Sequence, residues 1–165
     1  MSRPALVPIP AIVPDSETRP SAPTPGGSIE AAVDTLARTL WGEARGEPVR
    51  GIEAVASVVV NRVRAAERRG GFWWGDSVVA VCRKPFQFPC WDAGDPSRAA
   101  LPVVTAADPV FAICLRVARR AVAGLLPDPT GGATRYHALG LHPDWAAGHC
   151  PSAEIGGYVF YGITE

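Results

Sequence analysis

The segment Leu40-Trp-Gly-Glu-Ala-Arg-Gly-Glu47 carries a pair of acids, Glu43 and Glu47, with an indole before them and a guanidinium between. A carboxylic acid serves as a general acid when its pKa is lifted toward the working pH. Glu43 has two sources of such a lift. It sits where an amphipathic run gives way to Gly46 and Pro48, so the partial negative charge of a helix C-terminus disfavours its ionised form, and the Trp41 ring would keep water from it. On residue types alone, a carboxylate that pairs with Arg45 or caps a surface turn explains the same pattern. Glu47 reads as a solvated or arginine-paired carboxylate beside Pro48. Asp92 and Asp128 are the other acids in suggestive places, but Asp92 belongs to the polar loop Asp92-Ala-Gly-Asp-Pro96 and Asp128 to the turn Asp128-Pro-Thr-Gly-Gly132.

Other chemistries have weaker support. His137, His142, His149 and Cys150 gather in one stretch, as zinc ligands do, yet none pairs at helical spacing, His-Glu-x-x-His is absent, and the surrounding prolines mark loops. No metal and no cofactor is expected. Cys90 with His137 as its base would make a thiol nucleophile, a second alternative. Cys82, Cys90, Cys114 and Cys150 are an even set whose spacing does not choose among the possible pairings, nor between bridged and free thiols. Trp73 and Trp74, between Gly71 and Gly75, are either platforms for a ligand or plugs of a loop.

The elements that must position these groups follow from periodicity. Ser28 is the N-cap of a first helix with Ile29, Val33, Leu36, Ala37 and Leu40 on one face, stopped by Gly46 and Pro48, so Glu43 falls in its last turn. Ile52, Val55, Ala56, Val59, Val60 and Val63 give a second helix that Gly70 and Gly71 close. Residues 72–91 are loop-rich, with an apolar piece at 78–82 that fits helix or strand. Asp108 and Pro109 open a third long helix, which Gly124 ends. Aromatic and β-branched residues at 133–139 and 158–163 read as strands. Helices first and a small antiparallel sheet last describe an α+β domain.

The chain of 165 residues, 47% of them hydrophobic, suits one domain, placed at 28–165 behind a Pro-rich tether at 1–27 that reads as extended and disordered. Sixteen basic and sixteen acidic residues cancel, which argues against nucleic acid or an anionic membrane as partner. Prolines interrupt the N-terminal apolar residues before they can form a signal peptide, and no run is long enough for a membrane span. Synthesis in the cytoplasm without a recognisable signal is the expectation.

Several segments resemble a known family. Leu36-Ala-Arg-Thr-Leu-Trp-Gly-Glu-Ala-Arg-Gly-Glu47 followed by Gly51-Ile-Glu-Ala-Val-Ala-Ser-Val-Val-Val-Asn-Arg-Val63 is similar to the opening of the catalytic domain of spore-cortex-lytic and related cell wall hydrolases. Gln87-Phe-Pro-Cys-Trp91, Asp128-Pro-Thr-Gly-Gly-Ala133 and Ile155-Gly-Gly-Tyr-Val-Phe-Tyr161 resemble its later motifs, in the same order. The resemblance implies a lysozyme- or lytic-transglycosylase-like helical domain with a small sheet, acting at the cell wall on peptidoglycan glycan strands. It implies Glu43 as catalytic acid, cutting between N-acetylmuramic acid and N-acetylglucosamine to leave 1,6-anhydro ends. Hydrolysis, or glycan binding without catalysis, are the alternatives. Gln87, Trp91 and Thr130 lie in the matched motifs and Tyr136 and His137 just beyond the Asp128 motif, and all suit substrate contacts, while Phe88 suits the core equally well. The pattern is departed from at Pro89, Arg135 and Tyr158. Absence of a signal and of a repeat-type wall-binding domain favours a phage-like lysis enzyme or one exported by another route.

Overall fold

The structure is a computed structural model that describes residues 27–163. The tether expected at 1–27 lies outside the described residues save for Gly27, as do the last two positions of the expected domain.

Helix α1 (Ile29–Ala44) starts where Ser28 Oγ accepts the Ala31 N–H at 3.1 Å and carries Glu43 in its last turn. Helix α2 (Val49–Arg69) begins directly after Pro48 and stops at Gly70, whose φ of 70° is open to glycine without steric cost. The ambiguous apolar piece forms a short helix, α3 (Val78–Arg83), because Ser77 Oγ caps it through the Ala80 N–H at 3.2 Å. Helix α4 (Pro109–Val122) is capped by Asp108, whose carboxylate accepts the Val110 and Phe111 N–H groups, both at 2.9 Å.

Three short strands follow, β1 (Arg135–Ala138), β2 (Ala153–Ile155) and β3 (Tyr158–Tyr161), antiparallel in the order β1-β3-β2. Strand β2 is a finding beyond the sequence reading. Ala-Glu-Ile has little strand character by itself, and it pairs only because the Gly156-Gly157 turn folds it back on β3.

Helix α2 is the hub. Ile52, Val55, Ala56 and Val59 join the main core with Leu36 and Leu40 of α1 and Phe111, Cys114 and Ala118 of α4. Ala54 and Val58, on another side of α2, pack with Ala133 and Phe160 beneath the sheet. Burial on two sides explains why this helix uses Val and Ala: small side chains let neighbours approach from both directions, and each fully buried Val contributes roughly 1.5–3 kcal/mol. No described helix is long and apolar enough to cross a membrane.

Candidate active site

Glu43 is half-buried at the junction of α1, the Pro89–Trp91 turn and the sheet. Its Oε1 accepts the Cys90 backbone N–H at 2.9 Å, and the Cys90 thiol and Tyr136 hydroxyl face the carboxylate and favour its charged form. Burial lifts the Glu43 carboxyl above the ordinary carboxylate range and the negative charge of Asp95 adds to the lift; the donors from Cys90 and Tyr136 oppose it without cancelling it. Arg45 does not neutralise the acid. Its Nη1 donates instead to Trp41 O, Gly42 O and Ser97 Oγ, closing the C-terminus of α1 and tying it to the 95–97 loop.

Two glycines and a tyrosine set this geometry. Gly42 sits inside α1 although glycine costs a helix about 1 kcal/mol relative to alanine. A Cβ there would lie 2.5 Å from Cys90 Cβ and 2.8 Å from its Sγ, so only glycine lets the Cys90 turn reach Glu43. Tyr158 donates its hydroxyl to the Glu43 carbonyl at 2.7 Å, satisfying one of the carbonyls that a helix end leaves without a partner. Glu47, part-exposed, makes no arginine pair among the described residues and takes a role the sequence reading did not give it: its Oε2 accepts the Gly157 N–H at 2.8 Å. It therefore pins the β2–β3 turn to the α1–α2 junction, and a Cβ added at Gly157 would come 2.9 Å from Glu47 Oε1, so the carboxylate would have to shift.

Beside this cluster lies an open cavity of about 340 Å³ walled by Arg62, Trp73, Trp74, Pro85, Phe86, Gln87, Arg135, Tyr136 and Trp145. Glu43 is not part of that wall; Tyr136, which lines the cavity and whose hydroxyl acts on the Glu43 carboxylate, links the two. The adjacent indoles have separate fates. Trp74 is fully buried with its Nε1–H on Arg62 O at 2.9 Å, whereas Trp73 is 56% exposed on the wall. Phe86 is 88% exposed and holds a φ of 63°, an uncommon conformation for a residue with a side chain. Aromatic faces beside a few fixed polar groups suit a sugar, which has apolar faces and polar edges.

The residues singled out from sequence are not all assembled here. Glu43 and Tyr136 meet, and Gln87 reaches the cavity, its Nε2 anchored on Val81 O at 2.6 Å and Trp74 O at 3.2 Å. His137 follows Tyr136 in β1 and so points to the opposite face, where it stacks on Tyr161 and bonds its hydroxyl at 3.2 Å. Thr130 is fully buried inside the Asp128 turn, with its hydroxyl donating to Asp128 at 2.6 Å and accepting the Ala133 N–H at 3.1 Å. Trp91 packs on the core with its Nε1–H on Thr39 Oγ1 at 3.0 Å and Arg83 over its ring. Thr130, Trp91 and His137 are absent from the cavity wall.

Asp128 is a turn former. Burial alone would raise its pKa, but bonds from the Thr130 hydroxyl, Asn61 and the Thr130 and Gly132 N–H groups hold it below the ordinary range. A Cys90–His137 nucleophile is excluded by placement, since the thiol faces Glu43 and burial together with that carboxylate's charge pushes its pKa up, away from thiolate. Among the described residues no three His, Cys, Asp or Glu side chains converge as a metal site, and all the cysteines are free thiols.

Cys90 as donor, Tyr158, Arg62, Phe86 and Asp95 were not legible as site residues. Gly42 left the one usable signal, a glycine kept where a helix penalises it.

The sequence model of the Cell Wall Hydrolase family matches residues 46–161, beginning beyond Glu43. A spore cortex-lytic enzyme of Halalkalibacterium halodurans is 32% identical over 124 residues, which cover 74% of this chain and 30% of that protein. Another, of Oceanobacillus iheyensis, is 40% identical over 74 residues, 45% of this chain and 25% of the relative. The chain thus spans under a third of the length of these curated relatives. The crystal structure of the catalytic domain of the Bacillus cereus SleB protein superposes with a TM-score of 0.63 at 26% identity, covering 84% of this chain and 94% of that one. The catalytic domain of the germination-specific lytic transglycosylase SleB from Bacillus anthracis gives 0.58 at 26% identity, covering 84% and 99%.

Proposed function

Since this chain belongs to the cell wall hydrolase family, we propose that it cleaves peptidoglycan glycan strands between N-acetylmuramic acid and N-acetylglucosamine, with Glu43 as the acid. The observation that carries this reading is the Glu43 carboxyl itself: half-buried, lifted in pKa, unpaired with Arg45 and held by Cys90 and Tyr136 beside an aromatic-walled cavity. Family membership adds support, as do relatives whose names describe cortex lysis and lytic transglycosylation.

In this mechanism protonated Glu43 donates to the bridging glycosidic oxygen as the bond to the muramoyl C1 breaks. The resulting carboxylate takes a proton from the muramoyl 6-hydroxyl, which closes on C1 and leaves a 1,6-anhydro end. Donation and recapture restore the acid without consuming water. Tyr136, whose own pKa is pushed far up by burial and by the charge of Glu43, stays a neutral donor that steadies the carboxylate between the steps. Such a substrate puts the site of action at the cell wall.

A hydrolytic outcome is the second reading, for which Asp95, whose negative charge acts on Glu43, is the candidate second carboxylate. Digestion of purified peptidoglycan by the wild type and by Glu43→Gln, with mass analysis of the muropeptides, tests both. Anhydro ends from the wild type alone are expected. Reducing ends would select hydrolysis, and undiminished cleavage by Glu43→Gln would remove Glu43 from the mechanism.

A further inference from the structure

The cavity beyond Tyr136 has a chemistry that general sugar binding does not explain. Arg62 enters its wall from α2 and is only 9% exposed. Its Nε donates to Thr134 O at 2.7 Å, and its guanidinium lies 5.7 Å and 5.5 Å from the ring centroids of Trp74 and Phe88. Its Nη1 is buried with no hydrogen-bond partner among the described residues. Neither of the described ion pairs involves it, and burial lowers its pKa to about 10, leaving it charged at neutral pH. A buried cation with no carboxylate partner among the described residues is costly, and an unsatisfied guanidinium donor suits a carboxylate. Arg135 brings a second guanidinium to the same wall, and none of the described residues that line it is an Asp or Glu. Trp73, exposed, and Trp145 flank these charges on the same wall, and the Trp73 face is open to a sugar ring.

We propose that this cavity is a subsite for a carboxylate carried by the glycan strand, with Arg62 as its main ligand. The inference rests on the glycan-cleaving reading and adds to it the side group the enzyme selects. A peptidoglycan strand has two sources of this group: the lactyl carboxylate of a muramoyl residue whose peptide has been removed, and the carboxylates of an attached peptide stem. Both present the same planar anion to a guanidinium, and a cavity of about 340 Å³ falls in the range of small-ligand sites.

The test uses Glu43→Gln in the full chain, so that binding is measured without turnover. Its probes are glycan strands stripped of peptide, the same strands with their carboxyls reduced to alcohols, and strands with stems intact, followed through tryptophan emission. Binding at least about tenfold tighter for a carboxylate-bearing strand than for the reduced one, weakening as salt rises, is the expected result. Preference for stripped strands assigns the lactyl group, and preference confined to stem-bearing strands assigns the stem. Adding Arg62→Gln should abolish the discrimination; should that variant fold poorly, Trp73→Phe, at an exposed wall position, should diminish the emission change instead. Equal affinity for carboxylate-bearing and reduced strands overturns the subsite, as does binding to none of them. Strand cleavage is judged separately, by the wild type's digestion products.

Discussion

Gly42→Ala tests the geometry of Glu43 without touching a reacting group. The new methyl would lie 2.5 Å from Cys90 Cβ, 2.8 Å from Cys90 Sγ and 3.2 Å from Leu101 Cδ2. Carbon atoms rest at about 3.5–4.0 Å, so the Cys90 turn must retreat by about 1 Å or α1 must tilt. Overpacking of this kind costs about 1–3 kcal/mol, against about 1 kcal/mol gained from alanine's better helix propensity. Net stability should therefore change little or fall by up to about 2 kcal/mol. Activity responds more. A retreat of that size carries the Cys90 N–H beyond hydrogen-bonding distance of Glu43 Oε1, now 2.9 Å away. A hydrogen bond to a charged group contributes about 1.5–3 kcal/mol, so the cleavage rate should fall about 10- to 100-fold. Clearing of purified cell wall suspensions gives the rate and a thermal melt gives the stability. The double variant Gly42→Ala/Cys90→Gly, which removes the colliding Cβ and Sγ, should recover part of the rate. A Gly42→Ala enzyme that melts higher and cleaves at the wild-type rate would refute the close approach as the source of the site.

Glu47→Ala should lower stability by about 1–3 kcal/mol, because the Gly157 N–H loses its acceptor, while Glu47→Gln should recover most of that; melts of both variants, with an unchanged pH profile of cleavage, separate this role from acid catalysis. Tyr136→Phe removes a donor that lowers the Glu43 pKa, so the carboxyl should rise further and the alkaline limb of the pH–rate profile should move to higher pH; a limb that stays put or moves down would contradict the assigned bond. Asp128→Asn should destabilise the fold at neutral pH. Its folded pKa is depressed, so the stability it contributes is present above the ordinary carboxylate range and lost as pH falls through the folded value; melts of wild type and variant should therefore converge in acid.

Local sequence determined the helices, and through them the position of Glu43. Periodicity and capping act within a few residues, so Ser28, Asp108-Pro109 and Gly70 mark boundaries that no distant contact needs to decide. The turn role of Asp128 was legible for the same reason, since its partners Thr130 and Gly132 are adjacent in the chain. The Val78–Arg83 piece needed only its Ser77 cap to settle a short apolar run whose period is too brief to distinguish helix from strand.

Tertiary structure decided what surrounds the acid. The contacts of Glu43 with Cys90 and Tyr136, of its carbonyl with Tyr158, and of Glu47 with Gly157 span long stretches of chain, and no local pattern encodes them. Adjacency in the chain placed Tyr136 and His137 together as candidates, but a strand turns successive side chains to opposite faces, so one meets the acid and the other the far side of the sheet. Thr130 and Trp91, equally plausible as sugar contacts from their types, were drawn inward because their polar atoms found partners at Asp128 and Thr39 once the chain had packed. Residue type states what a side chain can do; which surface it reaches is fixed by the elements that close around it.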